Sequence, residues 1–195
     1  MTEDGRARNK AATRRALRAA TLDLGLQRGL DDVPVEEIAK RAGVSTRTFF
    51  NYFDTKDDAA LIELFMLTDE ELSDFASRDN VAGAWSDLSR MLTADVERAE
   101  QDGQDLPRYL QLHAQHPVLQ ARQMGQFSLF LRRLADAIAV RIGDGPQTRM
   151  RAELMAGSCI TAVRVGLDQW AARGCRPPAA THVAAAFAMF DGAFG

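Results

Sequence analysis

Apolar side chains recur at helical spacing along almost the whole chain. In residues 9–28, Leu17, Ala20 and Leu24 follow one another three and four positions apart. Gly29 ends that segment. The sequence contains no alternating strand pattern of useful length and no internal repeat. The pattern therefore predicts an all-α protein with about nine helices.

Eight further segments share this spacing. They run over 35–42, 45–53, 56–76, 80–101, 107–115, 117–142, 147–173 and 181–194, each with bounds good to about two residues. The helix expected from Lys56 to about Ala76 carries one largely apolar stripe, made of Leu61, Leu64, Phe65, Thr68, Leu72 and Phe75. Thr55 is expected to cap that helix.

Two of the short segments form a recognisable unit. Gly43 follows the first helix, where a left-handed residue is common, and Ser45 is a suitable N-cap for the second. Val44 and Phe49 occupy the two positions of a hydrophobic staple, which fixes the angle at which the chain enters the second helix. Two short helices joined by a tight glycine turn are typical of a helix-turn-helix.

The outer face of the second helix carries DNA-reading chemistry. Phe49 and Phe53 are expected to face inward, which leaves five side chains outside: Thr46, Arg47, Thr48, Asn51 and Tyr52. Arginine binds guanine in a bidentate manner, asparagine binds adenine, and threonine offers a hydroxyl or a methyl group. No acidic residue lies between Ser45 and Phe53. This face is therefore a candidate DNA interface.

Charge is unevenly distributed, although the chain as a whole has a net charge of −3. Residues 1–56 carry eleven Lys or Arg against eight Asp or Glu, whereas the remainder carries thirteen against nineteen. A basic end on an acidic body is expected when one small part meets a polyanion. A basic face that is simply solvated explains the same numbers equally well.

The segment VEEIAKRAGVSTRTFFNYFDTKDDAAL, residues 35–61, resembles the N-terminal DNA-binding signature of the TetR/AcrR family of bacterial transcriptional regulators. The matching positions are Ile38-Ala39, Ala42-Gly43-Val44-Ser45, Thr48-Phe49-Phe50, Tyr52-Phe53 and Lys56. The resemblance implies a homodimer that binds a pseudo-palindromic operator with one recognition helix in each half-site. It assigns DNA contacts to Ser45, Thr46, Arg47, Thr48, Phe50, Asn51, Tyr52 and Lys56.

The sequence departs from the family pattern at three places. Pro34 stands where relatives often have a capping Ser or Thr, Glu36 and Glu37 follow it, and Phe50 replaces a frequent Tyr. Together these departures are expected to weaken the contact with the DNA backbone at this edge. The basic stretch Arg6–Arg18 is expected to add contacts with the backbone or the minor groove.

The resemblance also implies a division of labour. It gives residues 1–56 to a three-helix DNA-binding domain, and residues 57–195 to a helical bundle for effector binding and dimerisation. Small and apolar residues on the last two long helices suit a four-helix dimer interface: Leu154, Gly157, Ser158, Ala162, Val165, Val183, Ala186, Phe187 and Phe190. Burial of these faces inside one chain is the alternative.

Aromatic side chains, methionine and a few polar groups on the central helices suit a pocket for a moderately apolar effector. The candidates are Trp85, Met91, Tyr109, His113, Phe127, Phe130 and Trp170. For any one of them, ordinary core packing is the competing interpretation. His113 and His116 lack a third metal ligand in the sequence, so we expect no metal and no cofactor.

Other function classes have little support. The sequence has no GxSxG, HExxH, Walker loop or dinucleotide fingerprint, so we expect no enzyme. Neither an apolar run of membrane-spanning length nor a signal-peptide core is present, so we expect a cytoplasmic protein without a membrane partner. A ligand-released repressor is the favoured hypothesis. The alternatives are an architectural DNA-binding protein without an effector, or a regulator controlled by a protein partner.

Overall fold

The computed structural model describes residues 3–61, 63–101, 105–176 and 178–190. These residues contain no strand, so the all-α prediction is confirmed, with ten α-helices in place of about nine. The helices are α1 (Glu3–Arg28), α2 (Val35–Arg41), α3 (Thr46–Phe50), α4 (Lys56–Ala60), α5 (Asp69–Ala76), α6 (Ala84–Gln101), α7 (Leu106–Gln115), α8 (Pro117–Ile142), α9 (Thr148–Ala172) and α10 (Ala179–Ala188). A 3-10 turn spans Leu30–Asp32. Of the described helices, none is long and apolar enough to cross a membrane.

The chain forms two compact units that interleave along the sequence. The first is built from residues 1–62 and 103–124, and the second from residues 63–102 and 125–195. Because α7 and the start of α8 belong to the first unit, the chain leaves that unit and returns to it.

The core of the first unit lies under the short helices. Nine buried side chains form it: Leu17, Ala20, Leu24, Val33, Ile38, Ala39, Phe49, Phe53 and Ala59. Helices of five to seven residues such as α2, α3 and α4 are too short to be stable alone. Their packing on the inner face of α1 is therefore what holds them.

Polar contacts attach α7 to the same unit. The guanidinium of Arg18 is buried, and its Nε donates to the hydroxyl of Tyr109 over 3.0 Å while its Nη2 donates to the carbonyl of Leu61. His113 Nε2 lies 3.0 Å from the carbonyl oxygen of Ala60. Burial lowers the pKa of His113, so the neutral imidazole is favoured.

The second unit is organised around α9 and α10, which both pack against α6. Gly166 of α9 lies directly against Val183 of α10. Ala162, Val183 and Phe187 are buried within this unit, so the chain itself covers that part of the face considered for dimerisation. Leu154 and Val165 remain exposed.

The single helix expected from Lys56 to about Ala76 is wrong. The structure has two helices there, α4 and α5. Leu61 is extended, with ψ 146°, and Phe65 has φ +63°. Thr68 starts α5 with a full capping box, in which its side chain accepts from the amide of Glu71 and Glu71 accepts from the amide of Thr68. That cap, together with contacts described below, overrides the helical spacing of the apolar residues.

Smaller differences lie at helix ends. α6 begins at Ala84 because the Asn80 side chain accepts from the amide of Gly83 in a turn. α10 begins two residues earlier than expected, at Ala179. It ends at Ala188, whereas the expected helix ran on to residue 194, so the expected end is wrong.

Candidate nucleic-acid interface

The turn between α2 and α3 has the geometry that the sequence predicts. Gly43 takes φ +73°, a conformation that costs glycine little and strains other residues. The Val44 amide returns to the Ala39 carbonyl over 2.9 Å, and Ser45 Oγ accepts from the Thr48 amide over 3.1 Å. Both ends of the turn are therefore hydrogen-bonded, and α3 begins at a fixed point.

The inner face of α3 is anchored by aromatic rings. Phe49 is fully buried, and its ring centroid lies 5.7 Å from that of Phe53. Arg14 of α1 lies over the Phe53 ring, 4.6 Å from its centroid, and donates to the carbonyl of Tyr52 over 3.3 Å. Arg14 therefore faces the core of this unit, and not only DNA as expected for the basic stretch Arg6–Arg18.

The outer face of α3 presents polar side chains to solvent. Arg47 and Asn51 are exposed, and within the part of the chain that the structure describes neither side chain makes a hydrogen bond or an ion pair. Thr46 is partly buried, and Tyr52 packs partly against the core. Arg47 and Asn51 are therefore exposed with all their side-chain donors and acceptors available.

Phe50 is 52% exposed, although its ring lies 5.5 Å from that of Phe49 in an edge-to-face arrangement. A single exposed ring is common on protein surfaces, but this one lies on the same short helix as the exposed Arg47 and next to the exposed Asn51. At a protein–DNA boundary, such an apolar group contacts thymine methyls or sugar carbons.

Ser45 and Thr48 form a local pair. Their hydroxyl oxygens lie 2.8 Å apart, and either can be the donor. Because Ser45 Oγ also accepts from the Thr48 amide, its first role is to cap α3. Any hydrogen bond from these hydroxyls to a phosphate must therefore be compatible with the cap of α3.

The ammonium of Lys56, the first residue of α4, bonds to the preceding turn. Nζ donates to the carbonyls of Asp31 and Val33, over 2.8 and 3.1 Å. The ammonium thereby ties the 3-10 turn to the start of α4. Since a lysine has three donors, one remains for a phosphate.

Neighbouring charges are largely neutralised in pairs. Arg28 binds Glu37 over 2.6 Å, so one of the two acids noted at this edge already has a cationic partner. Arg41 binds Asp23 over 2.8 Å. The hydrogen bond from Arg41 holds the pKa of Asp23 below its usual value, with Arg108 contributing. Arg18 is buried, so the stretch from Arg6 to Arg18 is one helix with mixed roles and does not form a continuous basic arm.

Arg122, near the start of α8, supports this unit from another direction. Its Nη1 donates to Thr55 Oγ1 over 3.1 Å and to Asp58 Oδ1 over 3.0 Å. Thr55 and Asp58 form the capping box of α4. The distance of 64 to 67 residues in the chain explains why the sequence pattern did not indicate the contact.

Comparison with known families decides the assignment. Residues 17–60 match the model described as bacterial regulatory proteins, tetR family. Residues 83–193, more than half of the chain, match the model described as the MftR C-terminal domain. The chain belongs to the TetR family. It is a DNA-binding transcriptional regulator, and nothing indicates enzymatic activity.

A known transcriptional regulator is similar to the chain over most of its length. The HTH-type transcriptional regulator TcmR of Streptomyces glaucescens is 29% identical over 175 residues, which cover 85% of this chain and 76% of TcmR. A crystal structure assigned to the TetR family, from Mesorhizobium loti MAFF303099, aligns over 100% of both chains at 17% identity, with a TM-score of 0.46.

The residues considered for an effector pocket divide between the two units of this TetR-family chain. Tyr109 and His113 belong to the first unit, where Tyr109 accepts from Arg18 and His113 contacts Ala60. The second unit holds Trp85, Met91, Phe127, Phe130 and Trp170.

Within the second unit, these residues have different surroundings. Trp85 stacks with Phe187, its indole donating to that residue's carbonyl over 3.4 Å. Met91 lines an open groove of about 380 Å³ with the charged side chains of Glu71, Asp74, Arg78, Arg90 and Arg98. Trp170 is buried, and among the described residues its indole nitrogen finds no hydrogen-bond acceptor. Phe127 and Phe130 both contact Phe65.

Proposed function

We propose that the protein is a ligand-responsive repressor that binds a pseudo-palindromic operator as a homodimer and is released by a small, moderately apolar effector. The observation that carries the DNA-reading part is the outer face of α3. Arg47 and Asn51 stand exposed on a capped, anchored helix with no partner among the described residues. Both side-chain types bind base edges in a bidentate manner.

The positioning contacts are assigned to the remaining residues of this surface. Ser45, Thr46, Thr48 and Tyr52 lie beside the base-reading pair, and Lys56 has one donor left for a phosphate. Contacts of this kind set register and orientation without carrying sequence information. Phe50 supplies the apolar contact.

Dimerisation is assigned to the outer faces of α9 and α10. On α9, an exposed apolar stripe is formed by Met150, Leu154 and Val165. On α10, the exposed residues are mostly alanine, which permits close helix approach. A Cβ added at Gly157 would meet no atom within 4 Å, so packing inside the chain does not require this glycine. Close packing of a second copy on the same face explains a glycine at position 157. In addition, two recognition helices on one operator require two subunits.

Effector binding is assigned to the part of the chain after Lys56, which holds the aromatic residues of the second unit. An effector acts only through its different affinity for the DNA-binding and released states. The proposal therefore assigns DNA reading to residues 1–56 and regulation to residues 57–195.

The experiment that tests the proposal is selection of bound fragments from random and genomic DNA by purified protein, with Arg47→Ala alongside. Enrichment of a two-fold symmetric site that Arg47→Ala no longer selects supports a dimeric, sequence-reading regulator. If fragments bind without enrichment and only in a salt-dependent manner, the architectural function replaces it. Effector control is tested by screening small apolar molecules for release of the selected site.

A further inference from the structure

A bulky residue is held in a left-handed conformation in the short segment that precedes α5. Phe65 has φ +63°, a value that is rare for large side chains and normally left to glycine or asparagine. Among the described non-glycine residues, Cys175 alone shares a positive φ, and it lies in the turn that ends α9. An observed backbone outlier persists only where surrounding contacts enforce it, and such outliers concentrate at switches and ligand clamps.

A buried carboxylate enforces the conformation of Phe65. Asp95 of α6 is 5% exposed, and its Oδ2 accepts from the amides of Phe65 and Met66, over 2.6 and 3.4 Å. Arg98 adds a contact of 3.3 Å to the other oxygen. Burial raises the pKa of Asp95, and the hydrogen bonds from the amides of Phe65 and Met66 and the charge of Arg98 oppose that rise.

The side chain of Phe65 occupies an aromatic site on α8. Its ring centroid lies 5.0 Å from that of Phe127, edge to face, and 5.0 Å from that of Phe130, tilted by 32°. Phe65 and Phe130 are both buried. The two rings of α8 are therefore already in contact with an aromatic side chain of the same protein.

The sequence of the same segment suits a different conformation. Leu64, Phe65 and Thr68 continue, at spacings of three and four, the apolar pattern of α5. The observed segment makes no helix from Glu63 to Leu67. The sequence of this segment favours a helix, but the contacts with Asp95 and with the rings of α8 hold it in a strained, non-helical conformation. The segment therefore has two competing conformations.

We propose that Phe65 is a built-in occupant of the effector site, and that the effector displaces it from Phe127 and Phe130. The inference rests on the proposed function and specifies its ligand. The effector is a flat, apolar molecule that carries an N–H donor. Its ring takes the position of the Phe65 ring, and its N–H replaces the amides of residues 65 and 66 on the Asp95 carboxylate.

The N–H donor follows from the chemistry of Asp95. If Phe65 and Met66 leave, the buried carboxylate keeps only Arg98, at 3.3 Å. A buried carboxylate that loses its donors is strongly destabilised, so a ligand without a donor pays that penalty when it displaces Phe65. A ligand with an N–H donor avoids that penalty, so the site favours ligands that carry one.

The experiment uses N-phenyl-1-naphthylamine, a fluorescent apolar amine, and 1-phenylnaphthalene, which has no N–H. Fluorescence titration gives the affinity of each probe for the full-length wild type, Phe65→Ala and the matched control Phe75→Ala, which opens a cavity elsewhere in the second unit. Because the apparent affinity scales with the fraction of molecules whose site is open, we expect Phe65→Ala to bind the amine at least about tenfold more tightly than the wild type. The control should change by less than about threefold on the same scale, and the hydrocarbon should bind the wild type more weakly than the amine does.

Hydrogen exchange on the wild type gives a second measurement that needs no variant. The amides of Phe65 and Met66 should be protected in the unliganded protein and should exchange faster once the amine is bound. Equal affinity of the wild type and Phe65→Ala for the amine, or unchanged protection of the two amides at saturation, overturns the proposal. Both results are independent of operator selection, so a protein that selects an operator but fails these tests refutes the displacement of Phe65 alone.

Discussion

Gly166 and Val183 bring α9 and α10 into backbone contact. A Cβ built on Gly166 would lie 2.6 Å from the Cα and 2.8 Å from the backbone nitrogen of Val183. No side-chain rotation relieves a clash with backbone atoms, so the two helices can pack at this distance only with glycine at position 166. This contact lies at the centre of the second unit.

Gly166→Ala is expected to destabilise the protein by about 1–3 kcal/mol, the range for an overpacked core. Gly125→Ala is the control, because Gly125 is exposed in α8 and a Cβ there meets nothing within 4 Å. The control should be neutral or stabilising by up to about 1 kcal/mol, since alanine favours helix over glycine. Urea unfolding of both variants checks this. Equal midpoints would mean that the helices separate without cost.

Leu154→Glu is expected to convert the proposed dimer into monomers. Leu154 is 60% exposed in the single chain, and a carboxylate placed in an apolar interface would lose its hydration. Val140→Glu on α8, where the side chain is 70% exposed, provides the control and should leave the assembly unchanged. Sedimentation velocity distinguishes the two variants. Loss of the dimer in both, or in neither, would place the interface elsewhere.

Arg47→Ala and Lys56→Ala are expected to weaken DNA binding in different ways. If Arg47 reads a guanine, its loss should cost about 1–3 kcal/mol on the operator and little on random DNA. Loss of Lys56 should weaken binding to every sequence and flatten the salt dependence. Titrations with both DNAs at several salt concentrations measure this. An equal loss on operator and random DNA for Arg47→Ala would remove its base-reading role.

Ser45→Ala is expected to destabilise the first unit by about 1 kcal/mol, because the Thr48 amide loses the oxygen that caps it. Ser45→Asn retains a capping oxygen and should stay within about 0.5 kcal/mol of the wild type. Thermal or urea unfolding separates the two variants. If both lose the same stability, the hydroxyl contact between Ser45 and Thr48 matters more than the cap.

His113 gives stability a pH dependence of defined sign. Its folded-state pKa lies below its ordinary value, mainly because it is buried. The unfolded chain therefore binds more protons below about pH 6.5, and stability should fall as pH decreases from there. The raised pKa of Asp95 has the opposite sign, so its contribution falls as pH rises through its folded-state value. Urea unfolding of the wild type and His113→Gln between about pH 7 and 5 isolates the histidine. Equal slopes would mean that His113 is not the source.

The turn and the helix caps of the helix-turn-helix were predictable because they depend on a few neighbouring residues. The left-handed Gly43 and the caps at Ser45 and Thr55 follow from residue type and position. The burial of Phe49 and Phe53 follows from their spacing of four. Which side chains contact DNA stays a prediction.

Contacts between distant parts of the chain were not predictable in this way. The break in the expected helix after Lys56 depends on Asp95, which is 30 residues away from Phe65 in the chain. The inward position of Arg18 depends on Tyr109, at a separation of 91 residues. Periodicity reports which face of a helix is apolar, but it does not report what covers that face.

The interleaved construction of the first unit limits how the protein can be cut and recombined. A fragment that stops at residue 56 would carry the reading helix but would leave Gly25 without Leu112, whose side chain lies 3.2 Å from where a Cβ on Gly25 would stand. It would also leave Arg18 without Tyr109. A biosensor that grafts this DNA specificity onto another regulatory body should therefore transplant two pieces, residues 1–62 and 103–124, and join the foreign segment at both junctions.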